Sequence, residues 1–240
     1  MFGSVLVMMA ASARAYAVTG TARYGATRAR AAVCLEKQAV MAKLNEIPVF
    51  SVANDAEQPM AEADAETGRP TITFHLDVVE AQASLAAVRV ANPGAGARLI
   101  LAPLGAALAM SGQQKGGVTV RLQPSQAECR QVRQNFGFSA ESEGEAGEGE
   151  AERALIPLFS SDKLTFEETD GSAMTPFFFG VDDFRAAWVQ SGQAADEMPP
   201  LTLTDLRSLA YEMEHDNSKD FSSTVLMPPA ASMAFVRGSA

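Results

Sequence analysis

The sequence predicts a mixed α/β fold made of two pseudo-symmetric halves, each with the element order β-β-α-β-α-β-α and with helices packed on a mixed sheet. Two observations carry this prediction. Four short sequence blocks recur in the same order at offsets between 102 and 109 positions. Inside the blocks, apolar residues either alternate, as in strands, or recur at helical spacing. Together these features indicate a tandem duplication of about 105 residues.

The repeated blocks align the two halves residue by residue. Each block of the first half pairs with one of the second half. The first two pairs are IPVFS at 47–51 with IPLFS at 156–160, and FHLDVVEAQA from Phe74 with FGVDDFRAAW from Phe179. The third and fourth are LAPLGAAL from Leu101 with LTDLRSLA from Leu203, and LQPSQAECRQV from Leu122 with LMPPAASMAFV from Leu226. The second pair aligns Asp77 with Asp182. Each aspartate is expected to cap a helix, because its carboxylate can accept bonds from the free amides of the first turn.

The first half begins with a predicted strand at residues 47–52, followed by a polar hairpin loop at 54–68 and a returning strand at 71–74. A helix capped by Asp77 follows, and its predicted buried face carries Val78, Ala81, Leu85 and Val88. In the second half the equivalent helix places Phe184, Ala187 and Trp188 on its buried face.

Two further strand–helix units complete each half. Strand 98–102 precedes a helix with Leu104, Ala107 and Leu108, and the counterpart helix carries Leu206, Leu209, Ala210 and Met213. Strand 118–122 precedes a helix that begins after Pro124, and strand 224–227 precedes one that begins after Pro229. Proline suits a first helical turn because the amide hydrogen it lacks would have no partner there.

Charge is unevenly distributed. The net charge of −10 argues against binding to nucleic acid, which requires clustered Lys and Arg. Before Glu36 there is no acid, and four arginines lie among Ala, Ser and Thr, a composition typical of transit peptides. A short apolar run at 5–11 and Ala15-Tyr16-Ala17 also fit a signal peptide. We predict a targeting leader at residues 1–40, disordered or removed; the alternative is a disordered Ala-rich tail.

Residues 139–153 contain six glutamates with Gly, Ala and Ser and no large apolar residue. Such a segment cannot bury enough apolar surface to offset the entropy of ordering it, so we predict an acidic flexible linker. The predicted halves on either side span residues 44–138 and 154–238.

No catalytic, cofactor-binding or metal-binding constellation is predicted. His75 and His215 are the only histidines, and neither has a second His or a Cys at ligand spacing. NPGAGA at 92–97 has no third glycine of a dinucleotide fingerprint and is expected to be a turn. Cys129 aligns with Met233 and is expected to be a small buried apolar residue. The acid beside Asp182, Asp183, is expected to be solvated.

Five short segments occur in this order: IPVFS, TITF before an Asp-capped helix, IPLFS, TPFFFG and STVLMPP. With these segments, residues 44–237 resemble the Tic twenty-two-like family. This family comprises the twenty-two-kilodalton component of the chloroplast inner-envelope translocon and its relatives in cyanobacteria. The resemblance implies two pseudo-symmetric α/β halves with apolar grooves. Because no catalytic constellation is found, we predict no enzyme activity. The chain departs from the family in its acidic insert and its Ala- and Met-rich helices, and its leader favours an alga with a complex plastid.

The resemblance further implies a soluble plastid import factor between the envelope membranes, which escorts unfolded preproteins from the outer to the inner translocon. Its partners would be unfolded preproteins, transit peptides and translocon subunits, with at most peripheral membrane contact. The alternative is a scaffold that links translocon subunits without binding cargo. An enzyme or small-molecule binder whose site escapes motif analysis is a third possibility, which a pocket with convergent polar groups would support.

Methionine and aromatic side chains are the remaining candidates for a binding surface, because flexible apolar groups suit varied partners. In TPFFFG, alternation places Phe177 and Phe179 on one face and Phe178 on the other. We assign Phe177 and Phe179 to the core. The predicted apolar binding surface consists of Phe178, Met174, Met60, Met213 and Met227; ordinary core packing is the alternative for each methionine.

Overall fold

The structure is a computed structural model that describes residues 35–64, 68–111, 114–115, 117–136, 155–167 and 171–238. The predicted leader before residue 35 and the predicted acidic linker at 139–153 lie outside the described residues.

The described elements of the first half include the predicted ones in order, with one extra helix before them and two extra two-residue strands among them. They are α1 (Lys37–Asn45), β1 (Pro48–Ala53), β2 (Glu62–Ala63), β3 (Pro70–His75), α2 (Val78–Ala91), β4 (Arg98–Pro103), α3 (Leu104–Met110), β5 (Gln114–Lys115), β6 (Val118–Gln123) and α4 (Gln126–Phe136). The elements of the second half are β7 (Pro157–Ser160), β8 (Phe166–Glu167), β9 (Ala173–Phe178), α5 (Val181–Gln190), β10 (Thr202–Asp205), α6 (Leu206–His215), β11 (Thr224–Met227) and α7 (Ala230–Gly238).

Each half contributes one sheet. Sheet A has the strand order β4-β1-β3-β6-β5, with β2 paired to β3, and sheet B has the order β10-β7-β9-β11, with β8 paired to β9. Both sheets are mixed, because β3 runs parallel to β6 and β9 runs parallel to β11 while the other pairs are antiparallel. The predicted fold class, two mixed sheets with packed helices, is confirmed.

One core joins the two sheets. Inward-facing residues of both, among them Val49, Phe74, Leu158 and Leu226, form a single buried cluster with α1, α3 and α6. Helix α1 was not predicted as an element, and it contributes Val40 and Leu44 to this cluster. The end of the predicted leader, at residue 40, therefore falls inside a helix that packs in the core.

The opposite, outer faces of the sheets carry exchanged helices. Helix α4 follows sheet A in the chain but packs on sheet B, where Val132 contacts the cluster around Phe159. Helix α7 follows sheet B but packs on sheet A, where Phe235 meets Phe50 with ring centroids 5.5 Å apart at 86°. Each terminal helix thus packs on the sheet of the other half, since helix packing depends on the tertiary path rather than on sequence order.

The structure also corrects the alignment of the second block by two residues. Phe74 pairs with Leu122 in sheet A, and Phe177, not Phe179, pairs with Leu226 in sheet B. Asp77 caps α2 by accepting from Val79 N–H at 2.8 Å, as predicted. The residue before α5 is Gly180, and Asp182 lies inside the helix in an exposed ion pair with Arg185. Asp182 is therefore not a cap.

A two-residue shift does not change which face of a strand a side chain occupies. Phe177 and Phe179 pack in the shared core, which confirms their assignment. Phe178 points to the outer face of sheet B, as the alternation requires, but it is covered there by α5.

Candidate functional site

The described residues offer little conventional chemistry. They contain no group of three or more His, Cys, Asp or Glu side chains arranged to hold a metal ion. None of the helices in these ranges has the length and apolar character needed to cross a membrane. His75 lies at the end of β3, where burial lowers its pKa and nearby Asp77 raises it in part. Cys129 is partly buried, and burial raises the pKa of its thiol.

The structure brings three of the five predicted surface residues together. Phe178, Met174 and Met227 belong to one cluster on the outer face of sheet B, whereas Met60 packs on the outer face of sheet A. Met213 is 1% exposed in the shared core. Phe178 is 2% exposed, so its predicted position on an open surface is corrected: edge-to-face rings of Phe166 and Phe184 enclose it.

The partly exposed members of this cluster form what we call the methionine patch: Met174, Met198, Leu201 and Met227. They rest on buried Phe178, Phe184 and Trp188. The patch therefore combines partly exposed side chains, three of them unbranched methionines, with a buried aromatic floor. Sequence spacing could not reveal it, because Met198 and Leu201 come from a loop outside the repeated blocks.

A second candidate feature is a cleft at the seam between the two halves. It has a volume of about 150 Å³ and is bounded by Leu76, Ile156, Phe179 and the prolines Pro124, Pro157 and Pro229. Residues at the starts of α2, α4, α5 and α7, either just before the helix or within its first turn, line this cleft. Its acidic lining residues are Asp77, Glu128 and Asp183.

Two acids at equivalent positions of the two halves cap the starts of α4 and α7. Glu80 of α2 accepts from Gln126 N–H at the start of α4 at 2.6 Å, and its counterpart Asp183 of α5 accepts from Ala230 N–H at the start of α7 at 3.2 Å. The expectation that Asp183 is solvated is therefore wrong. These bonds stabilise the exchanged helices, because the unpaired amides of a first turn favour a carboxylate.

Two further hydrogen bonds cross the seam. Glu128 of α4 accepts from Val181 N–H of α5 at 3.2 Å, and Ser232 of α7 donates to the Leu76 carbonyl at 3.1 Å. Gly180 leaves room for this carboxylate, since a Cβ atom there would lie 3.0 Å from Glu128 Oε1 and the side chain would have to shift slightly. The sequence signal for these contacts was the Pro-led start of α4 and α7, but the capping partners come from other helices.

Burial raises the pKa of the Glu128 carboxyl; Asp182, Asp183 and Asp77 raise it further, and the bond from Val181 opposes the shift. Burial also raises the pKa of Asp183, with a further contribution from Asp182 and opposition from the Ala230 amide. The cause is common to both: carboxylates lose water and face other carboxylates at the seam.

These shifts predict a pH dependence of stability. A group whose folded pKa is raised adds stability that is complete below its unfolded pKa and is lost as pH rises through the folded pKa. The free energy of unfolding of the wild type, relative to that of Glu128→Gln/Asp183→Asn, should therefore increase as pH falls from neutrality towards the unfolded values of 4.5 and 3.8.

Urea unfolding at a series of pH values measures this difference, with Glu167→Gln, an exposed glutamate on β8, as the control. The control should follow the wild type at every pH. A constant difference between the wild type and the double variant would contradict the prediction.

Comparison with known protein families identifies the family of this chain. A family model described as the Tic22-like family matches residues 1–237, nearly the whole chain. The chain belongs to the Tic22-like family. A search of curated protein sequences found no significant match.

Two solved structures of Tic22 proteins have a similar fold. A structure titled Anabaena Tic22 (protein transport) superposes with a TM-score of 0.62 at 17% identity, covering 85% of this chain and 97% of the other. Tic22 from Plasmodium falciparum gives a TM-score of 0.61 at 17% identity, covering 83% of this chain and 96% of the other. The two-sheet architecture is therefore shared by this Tic22-like chain and distant Tic22 structures.

Proposed function

We propose that this Tic22-like protein is a plastid import factor that binds unfolded preproteins between the outer and inner envelope translocons, in a chaperone-like way and without enzyme activity. Membership of the family supports a role in protein import. The observation that carries the finer proposal is the methionine patch, a partly exposed apolar surface on the outer face of sheet B.

The patch suits a ligand without a fixed sequence. An unfolded chain exposes apolar side chains of varied shape, and methionine adapts to them because it is unbranched and has three rotatable bonds. Phe178 and Trp188 beneath the patch do not need to move when the methionines repack. The result would be weak, reversible binding, as hand-over of a passing chain requires.

Charge supports the same partner. The chain carries a net charge of −10, whereas transit peptides are basic and poor in acids. Long-range attraction between opposite charges raises the rate of encounter. Apolar contacts at the patch would then hold the chain briefly.

Replacing two patch residues tests this proposal. The variant Met174→Gln/Met227→Gln should bind an unfolded client about 30-fold more weakly, if each methionine contributes about 1 kcal/mol. The measurements are suppression of aggregation of a reduced, unfolded client and the affinity of a fluorescent unfolded peptide. The control is Val90→Gln on α2, an exposed apolar residue outside the patch. If the double variant folds normally and protects the client like the wild type, the patch is not the binding surface.

The alternative scaffold function predicts a different cross-linking result. A photoreactive amino acid placed at position 227 should react with a preprotein arrested during import. Adducts with translocon subunits alone, and never with the arrested preprotein, would support the scaffold and exclude the chaperone-like function.

A further inference from the structure

Helix α7 occupies an apolar groove on the outer face of sheet A. We call this the α7 groove; it consists of Phe50, Val78, Ala81 and Leu99, with Asp183 at its end. Phe235 and Val236 of α7 fill it, and the ring of Phe235 stands edge-on to that of Phe50. Two polar contacts, Ala230 N–H to Asp183 and Ser232 Oγ to the Leu76 carbonyl, hold the start of the helix.

The attachment of α7 is shallow compared with that of α5. Ser232 is the only fully buried residue of its nine, while Phe235 and Val236 remain partly exposed. Helix α5 on sheet B buries four residues. An isolated helix of nine residues is not stable in water, so α7 is helical because the groove holds it.

The composition of α7 indicates what the groove accepts. Residues 221–240 contain no acid, and α7 consists of Ala, Ser, Met, Phe, Val and Gly with one cation, Arg237. The segment before Glu36 has the same acid-free, Arg-bearing, small-residue composition, which is typical of transit peptides. The groove thus already holds a helix of this chemical type.

Charge at the end of the groove also favours an acid-free helix. Asp183 accepts the first amide of α7, and Asp77 and Glu128 line the adjoining cleft. An acid in the first turn of an incoming helix would meet these carboxylates and be repelled, whereas free amides would be bonded. The groove therefore selects an amphipathic helix without acids near its start and with an aromatic residue five positions beyond its first residue.

We propose that the α7 groove is a receptor for helices, in which a short, acid-poor amphipathic helix of an incoming preprotein replaces α7. That the occupant comes from a preprotein rests on the proposed function; the exchange of helices in the groove does not. In the resting protein α7 competes as a tethered ligand, with an effective concentration of about millimolar. The groove is consequently occupied until α7 is loosened or outcompeted.

The test uses the full-length chain and a fluorescent peptide with the sequence of residues 229–238, PAASMAFVRG. The variant Phe235→Ala removes the aromatic contact of the tethered helix and leaves the groove intact. It should bind the peptide about tenfold more tightly than the wild type does. A peptide carrying Phe235→Ala, and one carrying Ala231→Glu in the first turn, should both bind more weakly. Tyr211→Ala, which removes an exposed ring on α6, serves as the matched control and should bind like the wild type.

Hydrogen exchange measures directly whether α7 is released from the groove. The amides of α7 should exchange faster in Phe235→Ala, and faster still in Phe235→Ala/Ser232→Ala, while the core strands stay protected. The proposal is overturned if α7 amides in the double variant exchange only by global unfolding, or if α7 is released and no tighter peptide binding appears.

A separate competition identifies the occupant. A basic, acid-free transit peptide should displace the α7 peptide from Phe235→Ala, and Met174→Gln/Met227→Gln should not affect that displacement. Failure to displace, with the α7 peptide still bound, would exclude a preprotein helix as the occupant. If Met174→Gln/Met227→Gln loses client protection but the transit peptide still displaces the α7 peptide, the result bears on the methionine patch and does not count against the α7 groove.

Discussion

Replacing Phe159 with alanine should lower the free energy of unfolding by about 3–5 kcal/mol. Phe159 is fully buried on β7, where Val132 of the exchanged helix α4 and Val181 of α5 pack around it. Truncation leaves a cavity between β7, α4 and α5, and the capping bonds at the starts of the two helices hinder them from closing around it. The loss is therefore expected at the upper part of the range for a large-to-small change.

Urea or thermal unfolding of the full chain measures this loss. The matched control is Tyr211→Ala; Tyr211 is 65% exposed and its ring stacks on His215, so the change should alter stability by no more than about 0.5 kcal/mol. If Phe159→Ala costs no more than Tyr211→Ala, α4 does not pack on sheet B as described.

Separating the two halves should abolish the folding of both. Residues 35–138 alone would leave the groove over Phe50 without α7, and residues 154–238 alone would leave Phe159 without α4. The shared core would also be divided, exposing Val49 on one side and Leu158 on the other. Each half expressed alone should show no cooperative unfolding, and mixing the halves should restore it, as followed by circular dichroism.

A nicked chain provides the control for this prediction. A protease site placed within residues 139–153 allows the full-length folded protein to be cut between the halves. Because each half holds a helix of the other, the two fragments should stay together in gel filtration until denaturant is added. Fragments that separate after cleavage without denaturant, and remain folded, would show that the halves are independent domains.

The repeated blocks were sufficient to predict most of the elements, because strand alternation, helical spacing and a local cap are properties of short stretches. Asp77 illustrates this: its carboxylate reaches an amide two residues away, so the capping bond follows from the local sequence. The inward assignment of Phe177 and Phe179 also held despite a two-residue error in the repeat alignment, since strand faces have a period of two.

The positions of α4 and α7 could not be predicted in the same way. The local sequences of both helices specify a helix but not the sheet on which it packs, and that sheet is set by long-range contacts. The assignment of Asp182 as a cap failed for a related reason. The start of α5 is capped by Glu128, which comes from another helix 53 positions earlier.

The methionine patch depended on long-range contacts as well. Sequence alternation correctly turned Phe178 away from Phe177 and Phe179, but it could not show that Phe166 and Phe184 would enclose the ring. Nor could it show that Met198 and Leu201 would arrive beside Met174 and Met227.

By itself, the sequence determined the two-half mixed α/β architecture, the order of its main strands and helices apart from α1, and the resemblance to an import family. Periodicity, capping and repetition are written along the chain, and they act over distances of a few residues. Only the tertiary structure decided that α4 and α7 change places, that four helix starts meet at an acidic seam, and that Phe178 lies beneath the surface. These features arise from surfaces that come together only after folding, so no local pattern encodes them.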